Sequence, residues 1–324
     1  LNLDPCCAAM VRLSVCGLNG SRTEVEVTGR NKIGDIVKCL VPRESFAYWH
    51  LVAGTAILAD ASLVSEANLE EGAVLQLVRG KCKNVFVFAR RVQQLEEQPY
   101  IAEIPDTVTS IKYSAFSHCT GVVEVRIPSS VTIIEEVAFQ GCTSLTTVHI
   151  PNSVTSIGDS AFLGCTSLTA VYIPSSVRSI GDNAFSRCTS LTSLHISNSV
   201  SVIRIGADAF RGCTSMTEVH LPSSVSRIGT ATFYGCTALT DLKIPSSVAS
   251  IDGGAFFGCT SLTAVHIPGS VTRIGPSAFM RCKSLKEVQI PSSVTFIGNH
   301  AFRLCTALTD VHIPSSVTQL GEGA

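Results

Sequence analysis

Long apolar runs are missing from this chain. No stretch approaches the ~20 consecutive apolar residues that a membrane-crossing helix needs, so membrane insertion is not expected. An excess of charge of one sign is missing as well. Lysine and arginine number 24 and aspartate and glutamate 25 over 324 residues. The balance also holds locally, with 11 of each in residues 1–100 and 13 against 14 in residues 101–324. Neither part carries the basic surplus that a phosphate backbone attracts, so no nucleic-acid partner is expected. C-x-x-C pairs are absent, which removes zinc-finger spacing, and neither a metal nor another cofactor is expected. G-x-S-x-G, Walker, H-E-x-x-H and G-x-G-x-x-G patterns are absent too, so no catalytic residue is nominated and the chain reads as a non-enzyme. Apolar residues are not scarce: at 45% they can build a large core.

From about residue 101 the chain repeats itself. Phe116, Phe139, Phe162 and Phe185 are 23 residues apart, Phe210 follows after 25, and Phe233, Phe256, Phe279 and Phe302 resume the 23-residue step. Cysteines from Cys119 to Cys305 and prolines from Pro105 to Pro314 keep the same phase, with Ser197 standing where a proline is due. Three ladders in register mark a repeat architecture. One coil, Leu168 to Cys188, shows its grammar. Its apolar set is Leu168, Val171, Ile173, Val177, Ile180, Ala184, Phe185 and Cys188. Val171 and Ile173 alternate with Ala170 and Tyr172, the period of a strand. Pro174 lacks an N–H and ends that strand. Asp182 is placed to cap a short helical or 3₁₀ turn that carries Phe185 inward. One coil alone does not repay the entropy of ordering its residues, whereas stacked coils bury their ladders against one another.

The unit LTxVxIPSSVTxIGxxAFxGCTS resembles the BspA-like type of leucine-rich repeat, nearly continuously over residues 101–324. The resemblance implies an α/β repeat solenoid of about nine coils, curved, with short parallel strands lining the concave face. It also implies a binding scaffold without catalytic residues of its own. Two extra residues near Val202–Ile205 are expected to bulge from the solenoid or to break its curvature. The next ladder phenylalanine would fall one residue past Ala324, so a solenoid cut short at its carboxyl end is expected.

Residues 11–78 follow another grammar. Two alternating strands flank a turn at Leu18–Ser21, a helical stripe runs through Ile33, Ile36, Val37 and Leu40, and GAVLQLV reads as a last strand. This order resembles ubiquitin-like domains and implies a small α+β β-grasp fold. Carried over by position, the ubiquitin-like recognition patch falls on Leu18, Leu51 and Val78. The chain continues past Arg79-Gly80-Lys81 without a Gly-Gly end, so conjugation is not expected. Residues 79–104 read as a connector and amino-terminal cap, and 105–324 as the solenoid.

Nine cysteines share one repeat position next to core leucines, which predicts a ladder of buried, reduced thiols and hence a reducing, intracellular and most simply cytoplasmic setting. The alternative is a cell-surface home. One outward strand column holds Arg126, His149, Tyr172, His195, His220, Lys243, His266, Gln289 and His312; the column two residues earlier includes Glu218, Asp241, Glu287 and Asp310. These columns, from His149 onward, are the candidate partner-binding surface. Histidine gains charge as pH falls toward 5.5, so any binding there should respond to acid. The function expected is a protein-interaction scaffold with a ubiquitin-like docking domain. Its partners are proteins, with ubiquitin-pathway components or a larger assembly as candidates. The alternatives are a BspA-like surface adhesin and an accessory subunit of a large complex.

Overall fold

The computed structural model describes residues 10–16, 22–28, 49–53, 56–57, 74–79, 100–104, 106, 108–198 and 204–324. The chain divides into two compact units, Leu1–Ile104 and Pro105–Ala324.

Residues 10–79 of the first unit hold five described strands: β1 (Met10–Cys16), β2 (Arg22–Thr28), β3 (Trp49–Ala53), β4 (Ala56–Ile57) and β5 (Val74–Arg79). They form one sheet in the order β2-β1-β5-β3-β4. β1 runs antiparallel to β2 and parallel to β5, and β3 runs antiparallel to β5. The expected hairpin turn with Leu18 and the helical stripe at 33–40 lie outside the described residues.

In the repeat region each coil makes one wide and one narrow strand. The wide strands are β6 (Tyr100–Glu103), β8 (Val122–Arg126), β10 (Thr147–His149), β12 (Ala170–Ile173), β14 (Ser193–Ile196), β16 (Glu218–His220), β18 (Asp241–Lys243), β20 (Ala264–His266) and β22 (Glu287–Gln289). They stack in chain order into one nine-stranded sheet, parallel and in register at one repeat per step wherever β8 to β22 pair. Proline's missing donor explains their shortness: β12 stops at Ile173, directly before Pro174. Where Ser197 replaces proline, its N–H donates to the Ile173 carbonyl at 3.0 Å.

The narrow strands form two sheets rather than one. β7 (Ser110–Ile111), β9 (Ile133–Ile134), β11 (Ser156–Ile157), β13 (Ser179–Ile180) and β15 (Arg204–Ile205) make the first. β17 (Arg227–Ile228), β19 (Ser250–Ile251), β21 (Arg273–Ile274), β23 (Phe296–Ile297) and β24 (Gln319–Leu320) make the second. The break falls in the coil after the two extra residues, while the wide sheet passes that point unbroken through β14 and β16. Residues 199–203, which include most of the insertion, lie outside the described residues.

The expected helical turn does not form; among the described residues of the solenoid there is no helix. The segment carrying each ladder phenylalanine is a run of turns. Its donors explain why. Ser114, Phe116 and His118 give their N–H groups to Glu136, Ala138 and Gln140 of the next coil, at 3.1, 2.7 and 2.6 Å. Residues four apart, such as Ser114 (φ 58°) and His118 (φ 59°), sit in the left-handed region and aim those donors outward along the stack. A helix would need the same N–H groups for its own carbonyls. The α part of the α/β description is therefore replaced by coil-to-coil bonding.

The core is the predicted apolar set, repeated. Val171, Ile173, Val177, Ile180 and Phe185 are all at most 3% exposed. Nine phenylalanine rings form a continuous stack from Phe116–Phe139, at 4.9 Å between centroids, to Phe279–Phe302, at 5.4 Å. Many of the consensus serines and threonines bond between coils: Ser270 Oγ donates to the Val248 carbonyl at 2.6 Å and Thr192 Oγ1 to the Thr169 carbonyl at 3.0 Å, while Ser176 and Ser224 Oγ are buried without such a partner. Close approach of the preceding coil sets the glycine of the Ile-Gly pairs at Gly158, Gly181, Gly206, Gly275 and Gly298, though not at Gly229. A Cβ on Gly275 would lie 2.6 Å from the backbone of Asp252 in the preceding coil.

Candidate functional site

Alternation along the wide strands decides which side chains face solvent. Val148, Val171, Leu194, Val219, Leu242, Val265 and Val288 point inward and are buried. Their neighbours on either side point outward, so strand pairing converts two sequence positions into two columns on the open face. Tyr172, His195, His220, Lys243, His266 and Gln289 follow one another in an unbroken row of directly opposed residues, all exposed. His149 is exposed and stands opposite Arg126 on β8. The second column brings Glu218 next to Asp241, and Ala264 next to Glu287. Asp310 and His312 are exposed but lie in a segment of the last coil that forms no strand, so the row ends at Gln289.

Side-chain contacts within the columns are few. The Tyr172 and His195 rings stack at 5.2 Å with an 11° interplanar angle, and Tyr172 remains 49% exposed. His195 and His220 lie 6.4 Å apart, tilted by 46°. Small residues, Ala170 and Ser193, stand opposite each other two positions before the Tyr172–His195 stack. Arg126 Nε pairs with Glu124 Oε1 at 3.0 Å, and Gln289 Nε2 donates to Glu287 Oε1 at 3.0 Å. Among the described residues no three His, Cys, Asp or Glu side chains converge as metal ligands.

The expected ubiquitin-like patch falls only partly within the described residues. Leu51 lies on β3 and Val78 on β5, which are paired strands, with Leu51 opposite Leu77 and Val78 opposite His50. Leu18 lies outside the described residues.

The cysteine ladder needs one correction. Eight cysteines from Cys142 to Cys305 are free and buried, but Cys119 is joined in a disulfide. The eight share one arrangement: each thiol donates to the carbonyl of the ladder phenylalanine one coil earlier, as Cys142 Sγ does to Phe116 at 3.0 Å and Cys213 Sγ to Phe185 at 3.3 Å. Cys119 opens the series and has no ladder phenylalanine before it. Burial pushes the Cys213 and Cys259 thiols up to about 12 and raises Cys142 and Cys236 well above the ordinary thiol range. Groups this deeply buried stay unreactive in any compartment, so their free state does not report a reducing one.

A second surface array went unread in the sequence. On the turn side Arg211 sits 4.4 Å over the Tyr234 ring, Tyr234 stacks on Phe257 at 4.5 Å, and Arg281 lies 5.6 Å from the Phe257 ring. The signal was available: Arg211, Tyr234 and Phe257 each directly follow a ladder phenylalanine in three successive coils, and Arg281 lies two residues after Phe279.

Comparison with known proteins agrees with the repeat geometry. The model of the BspA type leucine rich repeat region, in six copies, matches residues 100–207 and 203–324. A leucine-rich repeat protein of T. pallidum is 32% identical, with 51% of this chain and 81% of that chain covered at a TM-score of 0.46. One from Bacteroides ovatus is 24% identical, with 73% and 90% covered at 0.41. The pneumococcal vaccine antigen PcpA is 20% identical, with 78% and 74% covered at 0.47. No curated protein matches the chain. With the 23-residue register, the phenylalanine stack and the family match together spanning residues 100–324, the chain belongs to the BspA-type leucine-rich repeat family.

Proposed function

We propose that the open face of the wide sheet is a protein-binding surface and that the chain works as a non-enzymatic scaffold. The observation that carries this reading is the in-register row from Tyr172 to Gln289, exposed over six coils on a backbone fixed by coil-to-coil hydrogen bonds. A rigid array of polar side chains around a half-exposed tyrosine has the make-up of a protein interface, where tyrosine is a frequent anchor. His149, Tyr172, His195, Glu218, His220, Asp241, Lys243, His266, Glu287, Gln289 and His312 are the residues assigned to it. Residues 11–78 are assigned as a ubiquitin-like docking domain with Leu18, Leu51 and Val78 as its patch, 79–104 as connector and cap, and 105–324 as the solenoid. Support for the first assignment is the strand order β2-β1-β5-β3-β4 with its central parallel pair.

The test is capture of partners from native lysate on the full chain, beside Tyr172→Ala and Leu51→Ala variants of matched thermal stability. A partner lost only with Tyr172→Ala places binding on the strand face. One lost only with Leu51→Ala moves it to the first unit, and one retained by both overturns the reading. A second reading, a cell-surface adhesin, is favoured by the Cys119 disulfide, since such bonds persist in oxidising surroundings. Non-reducing mass spectrometry of the chain from its native source decides: an intact Cys119 bond supports the surface, and a free Cys119 thiol supports the intracellular setting.

A further inference from the structure

Resting on the reading that this face binds a protein, we propose that its occupant is an extended lysine- and arginine-rich segment, held across the strands at neutral pH and released in mild acid. The argument starts from how charge is divided between the two columns. One carries Glu218 and Asp241 side by side, then Ala264, then Glu287, with Asp310 on the next coil, and no cation among them. Glu218, Asp241 and Asp310 are exposed, and none makes an ion pair with a described residue. The other column carries Lys243 and the imidazoles of His220, His266 and His312, with His195 one coil before. Lys286, exposed beside Glu287, is the remaining charge on these coils of the face. At neutral pH four carboxylates face two ammonium groups, and they sit in a column of their own.

The spacing suits a strand-like ligand. Neighbouring strands lie ~4.8 Å apart, so the carboxylates of Glu218 to Glu287, three strand steps apart, span ~14 Å. An extended peptide advances ~3.3 Å per residue, so about four or five residues cover that distance, with alternate side chains facing the carboxylates. Lysine and arginine stems are long and flexible enough to absorb the mismatch between ~6.7 Å and ~4.8 Å steps. At the other end the Tyr172–His195 stack, beside the small side chains of Ala170 and Ser193, offers an apolar seat for a residue flanking the basic run. No carboxylate interrupts that seat, because its column there holds Thr147, Ala170 and Ser193.

Acid reverses the balance. Between pH 8 and pH 5 histidine passes from neutral to cationic, while carboxylates as a class stay ionised. A column rich in histidine therefore gains positive charge in acid beside Lys243 and Lys286. A basic segment is repelled from the site that held it.

The experiment uses the full chain and a fluorescein-labelled peptide, Phe-Ser-Lys-Ser-Lys-Ser-Lys-Ser-Lys, in which phenylalanine and every lysine fall on one side of an extended strand, followed by anisotropy at low salt. We expect binding at pH 7.5, at least tenfold weaker at pH 5.5, with no binding of the same peptide carrying glutamate for lysine. Glu218→Gln with Asp241→Asn should weaken binding at least fivefold, and Glu136→Gln, an exposed carboxylate off this face, should not. His220→Gln with His266→Gln should flatten the pH response. Equal affinity of the double carboxylate variant, an unchanged affinity in acid, or binding of the glutamate peptide overturns the inference. The two readings fail separately. If Tyr172→Ala still releases a captured partner that the lysine peptide cannot displace, the basic-segment inference falls and the binding face stands. If Tyr172→Ala releases nothing, the face itself is wrong.

Discussion

Replacing Phe185 with alanine tests the stacking of coils most directly. Its ring is fully buried and lies between Phe162, at 5.0 Å and 3°, and Phe210, at 5.6 Å and 4°. Alanine would remove the ring from a site closed on both sides by neighbouring coils, which are tied by hydrogen bonds and cannot collapse into the void. Truncation of a buried phenylalanine costs about 3–5 kcal/mol, and the closed geometry places this site at the upper end. Phe302 is the control. It is only half-buried and has one ring neighbour, Phe279 at 5.4 Å. Its replacement should cost roughly half as much, because the site is already partly open to water. His195→Ala, on the open face, should stay within about 0.5 kcal/mol. The assay is urea unfolding followed by far-ultraviolet circular dichroism, since the sole tryptophan, Trp49, belongs to the first unit. Equal losses for Phe185→Ala and Phe302→Ala, or a loss below about 1 kcal/mol for Phe185→Ala, would refute the view that inter-coil ring packing holds the solenoid together.

Further outcomes follow from the same geometry. Gly275→Ala should destabilise by about 3 kcal/mol in the same urea assay, because its Cβ would meet backbone at 2.6 Å; Gly269→Ala, with nothing within 4 Å, should be nearly silent. The thiols of Cys213 and Cys259 should resist iodoacetamide at pH 8 until the chain is unfolded, as peptide mass spectrometry would record; rapid labelling of the folded chain would contradict their burial. Stability should also fall as pH rises from about 9 toward about 12. Over that window the unfolded chain releases protons from cysteines that the folded chain holds as thiols, with Cys213 and Cys259 raised from 9.0 to about 12. Each such thiol favours the unfolded state by about 1.4 kcal/mol per pH unit, so replacing both with alanine should reduce the alkaline slope measured by urea titration.

The repeat was legible because its chemistry is periodic. Phenylalanine, cysteine and proline recur at one interval, and alternation around Val171 and Ile173 assigns inward and outward positions without coordinates. The same arithmetic put Tyr172, His195 and His220 in one column, and strand pairing brings them together. It could not supply the Tyr172–His195 stack, since ring orientation depends on packing. Nor could it show that the described row stops at Gln289, because residues 310–312 keep the repeat's sequence pattern without forming a strand.

Sequence by itself determined the period, the inward set, the strand ends at proline and the phase slip after Phe185, since each follows from the local chemistry of a residue and its distance from its copy. Tertiary structure decided where the backbone donors go. Asp182 and its neighbours carry a helix-start pattern, yet the N–H groups of that segment find carbonyls on the adjacent coil, and turns replace the helix. It also decided the fate of the thiols. Eight cysteines become buried donors because a phenylalanine carbonyl lies one coil earlier, whereas Cys119, of the same repeat position, is disulfide-bonded. Both outcomes depend on partners 22 or more residues away, which only the stacking of coils brings within hydrogen-bond reach.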